Sequence, residues 1–308
     1  MVKNLNRKIM KNNILKPITK LLVLVVMALS ITSCYDDFVQ NEFDFTSVYL
    51  PQPTIDRTFI MGEGMQIGVG VVLGGRLMNT EDVEVTFSLD ESLLDPGSAL
   101  PSSYYSLVDG EGNPANNKII IPAGKTQGFV YVKADSIQFL NDPVSLGNNY
   151  ALGFRLDNVV KADSILVDYK TTKITFTYIN QLYGNYVQKG QFIKDDGTTV
   201  ETIDYPGAIT DALELTMASP STLIYDGLAD LRGSDKKLQI TVAADNTITI
   251  QTATGGVVVT DDTGSFYNPV TRVVTLNYSF DFNGSSYKAK DVLEFRNRFV
   301  DGVNQFDL

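Results

Sequence analysis

From residue 46 onward, hydrophobic and polar side chains alternate with a period of two, which is typical of β-strands that bury one face. Two segments show this spacing most clearly: Met65, Ile67, Val69 and Val71 in the first, and Val83, Val85, Phe87 and Leu89 in the second. Clusters of glycine, proline, asparagine and aspartate separate such segments, as in Asp109 to Pro114. Short strands at this spacing predict an immunoglobulin-like β-sandwich over residues 46–180.

The second half, residues 181–308, is also rich in predicted strands. Asn283-Gly284 lies between two long alternating segments, and this dipeptide favours a two-residue hairpin turn with positive φ at both positions. Strands joined in hairpin order predict an antiparallel meander that closes into a barrel-like, lipocalin-like domain. The predicted fold class is therefore all-β throughout.

The first 33 residues have the pattern of a secretory signal. Six basic side chains and no acidic one precede or flank the nine-residue apolar segment Leu21–Leu29. A helix of that length rises only about 14 Å, less than the hydrocarbon thickness of a bilayer. Residues 1–33 are therefore predicted to be a signal peptide, with Met1 or Met10 as its start.

The signal ends in Ile31-Thr32-Ser33-Cys34, which resembles a bacterial lipobox. The resemblance implies lipid attachment at Cys34, and several acyl chains hold a protein on a membrane firmly. A plain cleaved signal with an incidental cysteine is the alternative. Residues 34–45 read as an acidic tether, in which Asp36 and Asp37 resemble a surface-export signal of Bacteroidota lipoproteins. We therefore expect outer-membrane anchoring with the protein facing the cell exterior, against the alternative of an ordinary tether.

Composition excludes several kinds of chemistry. The chain has no histidine, no tryptophan and one cysteine, which rules out Ser-His-Asp and Cys-His nucleophiles, histidine metal sites and disulfides. Six of its 25 basic side chains lie in the signal, so the rest is more acidic than the net charge of −11 indicates, and nucleic acid is not an expected partner. No cofactor and no metal are predicted, although Asp261 and Asp262 leave a calcium site as an alternative.

Several sequence blocks also carry a family resemblance. VTFSLDESLL, KIIIPAGKTQGFVYVKAD and NNYALGFRLDNV resemble an N-terminal domain of unknown function found in Bacteroidota surface lipoproteins, over roughly residues 45–178. YGNYVQKG and NPVTRVVTLNYSFDFNG resemble its companion C-terminal domain. The family occurs in polysaccharide-utilisation loci and before endo-β-N-acetylglucosaminidase-like barrels. The resemblance implies a surface role in glycan handling, with no catalytic residue in any matched block.

Candidate functional side chains are few. Tyrosine can stack on a sugar and hydrogen-bond to it, and Tyr205 and Tyr267 lie in loop-like sequence beside prolines, which makes them the candidate glycan-binding residues. Ser136 and Ser164 each stand in an Asp-Ser-Ile triplet that resembles the O-glycosylation motif of this phylum. Acidic pairs such as Asp195-Asp196 are predicted to be solvated surface, so no catalytic residue is assigned.

Three functions follow, in order of preference. The first is a non-catalytic surface lipoprotein that binds glycan in a polysaccharide-utilisation system. The alternative is a structural or adhesive protein that binds a protein partner, another surface lipoprotein or an outer-membrane transporter. A carbohydrate-active enzyme is third, because two β-domains occupy the chain and leave no room for a catalytic barrel of about 250 residues.

Overall fold

A computed structural model describes residues 45–207 and 212–306 of the 308-residue chain. The predicted signal peptide, the tether to residue 44, Cys34, Asp36 and Asp37 lie outside the described residues. Among the described residues, the regular elements are nearly all β-strands; the exceptions are one short α-helix, α1 (Ser136–Asn141), and four 3₁₀ helices of three residues each. The prediction of an all-β chain is confirmed.

The first ten strands form two five-stranded sheets that pack face to face. One sheet has the order β5-β7-β3-β1-β9 and the other β2-β10-β8-β4-β6. The strands are β1 (Ser47–Tyr49), β2 (Thr54–Ile60), β3 (Gln66–Gly74), β4 (Val83–Leu89), β5 (Tyr105–Val108), β6 (Lys118–Ile121), β7 (Gln127–Ala134), β8 (Tyr150–Val160), β9 (Ser164–Ile165) and β10 (Thr171–Ile179). This is the predicted immunoglobulin-like sandwich.

The inward faces of these strands form one continuous core. In β3 the buried positions are the odd-numbered ones predicted from the alternation, and Val71 is fully buried. Phe59 and Phe176 stack with ring centroids 5.5 Å apart on the neighbouring strands β2 and β10. The period of two in the sequence therefore decides which side chains fill the space between the sheets.

The remaining eleven strands form one sheet, in which eight follow the order β16-β15-β14-β13-β11-β20-β19-β17, while β12, β18 and β21 pair with β11, β19 and β20 beside this path. They are β11 (Gly184–Asp195), β12 (Val200–Asp204), β13 (Ala212–Ser219), β14 (Thr222–Tyr225), β15 (Leu238–Val242), β16 (Ile248–Thr252), β17 (Val259–Asp261), β18 (Phe266–Asn268), β19 (Val273–Phe282), β20 (Ser285–Val300) and β21 (Val303–Gln305). The turn between β19 and β20 has φ of 50° at Asn283 and 80° at Gly284, as predicted.

The two ends of this sheet meet, which gives the predicted barrel-like shape. Residue Thr247, just before β16, bridges to Phe266 in β18, and the Ile248 N–H donates to the Ser265 carbonyl at 3.0 Å. Further along the seam, the Asp261 carboxylate accepts the Ile250 N–H at 2.9 Å. The Asp261 side chain thus supplies a hydrogen bond between the two ends of the sheet, where backbone pairing does not continue.

Asn180 anchors the short connection between the sandwich and the barrel. Its side-chain oxygen accepts the N–H groups of Leu182 and Tyr183, while its amide nitrogen donates to the Pro220 carbonyl at 3.2 Å. The hairpin of β20 and β21 returns to the sandwich, where the Asp301 carboxylate accepts the Thr58 N–H at 3.3 Å. The two domains therefore touch through both the connection and this terminal hairpin.

Candidate functional site

A large open groove of about 840 Å³ lies on the sandwich, where the edge strand β6 crosses beside β7. Its walls are the 109–116 loop and the turn that leads from β6 to β7, and the aromatic rings of Phe129 and Tyr131 lie along it. Such a volume is typical of sites that take a small molecule or a few sugar units. This groove is the candidate functional site.

The two aromatic side chains lie on the outer face of β7. Gly128, Val130 and Val132 point into the core, so the alternation places Phe129 and Tyr131 outward, with 42 % of Phe129 exposed. Their ring centroids are 6.2 Å apart and tilted by 32°. The result is a pair of adjacent ring faces at the surface of the groove.

Glycines on the neighbouring strand make room for these rings. Gly68 pairs with Tyr131 and Gly70 pairs with Phe129 in the β3–β7 register. A Cβ atom at Gly70 would lie 2.9 Å from the Phe129 ring, and one at Gly68 would lie 3.2 Å from the Tyr131 ring. The rings can therefore lie against the backbone of β3, which fixes their orientation more firmly than an open surface would.

Another glycine sets the depth of the groove. A Cβ atom at Gly128 would lie 2.3 Å from the Ile120 carbonyl oxygen, closer than any side chain tolerates. This position lets β6 approach β7 across the open side of the sandwich. Ile120 then lies 42 % exposed in the groove and adds an apolar surface beside the two rings.

Polar side chains form the rim. Lys118 makes an ion pair of 2.9 Å with Glu84, and Lys125 and Gln127 lie nearby. The Asp109 carboxylate accepts the N–H groups of Asn113 and Glu111, each at 2.9 Å, which holds the loop wall in one shape. The Asn113 hydrogen bond is the main reason that the pKa of Asp109 is lowered, so this carboxyl is ionised at neutral pH and a poor proton donor.

A second aromatic cluster lies inside the barrel, around the fully buried Asp291. Its carboxylate accepts hydrogen bonds from the hydroxyls of Tyr205, Tyr225 and Tyr278, at 2.5, 2.9 and 2.9 Å. Burial raises the pKa of Asp291, although the three hydroxyls act in the opposite direction. The pKa values of all three tyrosines are raised, first by burial and then by the charge of Asp291.

The predicted glycan-binding tyrosines do not offer the exposed rings that stacking requires. Tyr267 is only 3 % exposed, because β18 lies over the barrel seam and directs its ring into the core. Tyr205 packs its ring against Phe192, at 5.5 Å between centroids, and directs its hydroxyl to Asp291. Tyr267 belongs to the barrel core and the half-buried Tyr205 packs against that core, so the structure gives both residues a packing role.

The structure gives the other predicted positions local structural roles. Asp135 caps α1 by accepting the N–H groups of Ile137 and Gln138, which leaves Ser136 exposed at the start of the helix. Ser164 is half-buried in β9, next to an Asp163 carboxylate that accepts the Thr46 N–H at 2.7 Å. O-glycosylation at either serine stays a prediction.

Three of the four carboxylate oxygens of the alternative calcium site accept hydrogen bonds from the protein, and the fourth, Asp262 Oδ2, is buried. The Asp261 carboxylate accepts the N–H groups of Ile250 and Thr263, and Asp262 accepts the Ser279 hydroxyl. Among the described residues, no group of three or more acidic or cysteine side chains could hold a metal ion. Nor does that part of the chain contain a helix long and apolar enough to cross a bilayer.

Sequence reasoning missed both the groove and the buried cluster, although each left a signal. β7 reads QGFVYVKA, in which Phe129 and Tyr131 make the second face apolar as well, so the sequence indicates an apolar surface on each side of this strand. In β20, Asp291 occurs where Tyr287, Ala289 and Leu293 mark the inward positions. An acidic residue in an inward register predicts a buried polar partner.

Comparisons with known proteins agree with this architecture. Residues 41–163 match the model of a protein family described as "-like, N-terminal domain". A protein of unknown function from Bacteroides ovatus shares the fold, with a TM-score of 0.67 and 22 % identity, over 86 % of this chain and 99 % of that one. No curated protein matches the chain.

Two further solved structures are more distant. A second Bacteroides ovatus protein of unknown function has 13 % identity and a TM-score of 0.40, over 87 % of this chain and 95 % of that one. A lipoprotein from Bacteroides thetaiotaomicron has 12 % identity and a TM-score of 0.27, over 81 % and 100 %. The predicted resemblance is confirmed: this chain is similar over residues 41–163 to a family of N-terminal domains and shares its fold with a Bacteroides protein of unknown function.

Proposed function

We propose that this protein is a surface lipoprotein that binds glycan, without catalysis, in the groove beside β7. One observation carries the proposal, namely the adjacent rings of the exposed Phe129 and the half-buried Tyr131 in a groove of about 840 Å³. Sugar rings have apolar faces that stack on aromatic side chains and hydroxyls that bond to a polar rim. Lys125, Gln127 and Asn116 provide such a rim.

The shape of the groove favours a chain-like ligand. It is open along its length, and its two ring faces are neighbours on one strand, so consecutive sugar units could stack on Phe129 and Tyr131 in turn. The anchoring of the protein through Cys34, and its position on the outer membrane facing the cell exterior, rest on the sequence of residues 31–37. Such an anchor would place the groove where polysaccharide first meets the cell.

A glycan array probed with the chain from residue 35 onward tests the proposal, followed by calorimetry on each glycan that binds. We expect Phe129→Ala to weaken binding at least tenfold, equivalent to about 1.4 kcal/mol. Phe299→Ala is the matched control, because Phe299 is 58 % exposed but lies on β20, outside the groove. Equal loss in both variants, or no loss in Phe129→Ala, would reject the groove as the site.

Binding to a protein partner is the second candidate, and the terminal hairpin favours it. Phe299 on β20 and Phe306 just after β21 are 58 and 59 % exposed. Exposed apolar side chains close together are typical of protein interaction sites. If no glycan binds and Phe299→Ala abolishes capture of an outer-membrane transporter or another surface lipoprotein, this function replaces the first.

A further inference from the structure

A small polar cavity of about 170 Å³ lies where the sandwich and the barrel meet. It is lined by Glu63, Gln181, Tyr267, Pro269, Arg272 and Arg298. Glu63 follows β2 of the sandwich, whereas the other five belong to the connection or the barrel. The cavity has room for several waters or one compact molecule.

Arg298 is one of its two cationic side chains, and its charge is balanced. The side chain is only 1 % exposed, and its Nη2 donates to Glu63 Oε1 at 2.9 Å. Its Nε donates to Gln305 Oε1 at 2.6 Å. The Glu63 carboxylate is therefore already paired with the Arg298 guanidinium.

Arg272 is the other cation, and within the described residues it makes no ion pair. Its guanidinium carbon lies 3.5 Å from the centroid of the Phe295 ring, and its Nη2 donates to the Gln181 carbonyl at 3.1 Å. Its Nη1 is buried and has no hydrogen-bond acceptor in the part of the chain that the structure describes. Arg272 as a whole is half-buried, so its charge is partly solvated, but a buried N–H group without an acceptor still costs free energy.

The cavity lining thus carries two guanidinium groups against one carboxylate. Their field reaches the neighbouring Tyr186, where burial raises the pKa of the hydroxyl while Arg272 and Arg298 both oppose that rise. Arginine presents its N–H groups as a planar fork that matches a carboxylate better than a spherical anion. The ring of Phe295 holds that fork in place by stacking.

We propose that this junction cavity binds a small carboxylate-bearing ligand, no larger than a single sugar acid, with Arg272 as its anchoring residue. The ligand carboxylate accepts hydrogen bonds from the Arg272 guanidinium and neutralises the positive charge that Glu63 leaves uncompensated. Because the lining comes from both domains, an occupied cavity also strengthens their contact. The site is separate from the groove beside β7 and does not depend on it.

Saturation-transfer NMR on the chain from residue 35 onward tests this site with sodium acetate and sodium glucuronate as probes. Acetamide and glucose are the neutral counterparts and are expected not to bind. We expect Arg272→Gln to weaken binding of both carboxylates at least tenfold. Arg57→Gln is the matched control, because Arg57 faces Asp301 at 3.6 Å across the same junction but does not line the cavity.

Several results would overturn the proposal. They are the failure of wild-type protein to bind either carboxylate, equal binding of the neutral counterparts, and unchanged binding in Arg272→Gln. If Arg272→Gln does not fold, Arg272→Lys keeps the charge, loses the fork and should still weaken binding severalfold. Asp307 follows Gln305 by two positions, so binding that emerges only in Asp307→Asn would assign the carboxylate to the chain itself and reject a free ligand.

Discussion

The sandwich and the barrel use aromatic side chains in opposite ways. On the sandwich, Phe129 and Tyr131 lie on the outer face of β7, beside a groove and against glycines of the next strand. In the barrel, Tyr225 and Tyr278 are fully buried and bond to Asp291. The difference teaches that an aromatic ring is available for contact with a ligand only where the strand register directs it outward.

Each domain also contains a carboxylate that accepts hydrogen bonds from tyrosine hydroxyls. The different burial of the two carboxylates shifts their pKa values in opposite directions. Asp142, half-buried on the sandwich, accepts hydrogen bonds from Tyr150 at 2.6 Å and Tyr104 at 3.1 Å, and the Tyr150 bond contributes most to lowering its pKa. The same hydrogen bond, followed by burial, raises the pKa of Tyr150 to about 12. Asp291 has three such donors, yet its full burial raises its pKa.

Removing the buried Asp291 carboxylate should have the largest effect on the free energy of unfolding. Asp291→Ala leaves three hydroxyls without their acceptor, two of them fully buried, and each unpaired buried group costs about 1–3 kcal/mol. We expect the free energy of unfolding of the barrel to fall by about 3 kcal/mol or more, measured by urea denaturation with near-ultraviolet circular dichroism. Asp281→Ala, at an exposed position of the neighbouring strand β19, is the control and should change little. A loss in Asp291→Ala no larger than that in Asp281→Ala would contradict a specific contribution of the tyrosine cluster to stability.

The pH dependence of stability should separate the two carboxylates. Asp291 holds its proton more tightly in the folded state than at its ordinary pKa of 3.8, so its contribution to stability falls as the pH rises from about 4 through its folded pKa. Wild type should therefore lose stability relative to Asp291→Asn over that window, by about 1.4 kcal/mol per unit of pKa difference.

Asp142 should show the opposite sign. Its lowered pKa means that its contribution is present above its ordinary pKa of 3.8 and is lost as the pH falls below it. Wild type should therefore lose its advantage over Asp142→Asn on acidification. Parallel urea titrations of wild type and both variants, from pH 3 to pH 8, measure the two slopes. Slopes of the same sign would contradict the contrast between a buried and a half-buried cluster.

The alternation of β3 and β4 allowed the sandwich core to be predicted, and Asn283-Gly284 allowed the longest hairpin to be placed, because both depend on local sequence. The groove could not be found in that way, since it arises where Gly128 lets β6 approach β7, two strands that belong to different sheets. Tyr205 and Tyr267 were misjudged for a related reason. A loop-like sequence predicts that the chain turns at that point. It does not predict whether the side chains of the turn are then buried against the rest of the protein.

The smallest predicted effect tests whether glycine holds the binding surface in place. In Gly70→Ala, the new Cβ would lie 2.9 Å from a Phe129 ring carbon, so the ring must shift while the backbone stays as it is. We expect glycan binding to weaken a few-fold, equivalent to less than about 1 kcal/mol, with an unchanged melting temperature of the sandwich. Gly110→Ala is the matched control, because the same added atom lies at an ordinary 3.8 Å from Tyr131 in the same groove. If calorimetry finds that Gly70→Ala keeps the wild-type affinity while Phe129→Ala loses affinity, the ring binds glycan without being oriented by β3. Equal weakening in Gly110→Ala would instead indicate that any added bulk in the groove disturbs the ligand.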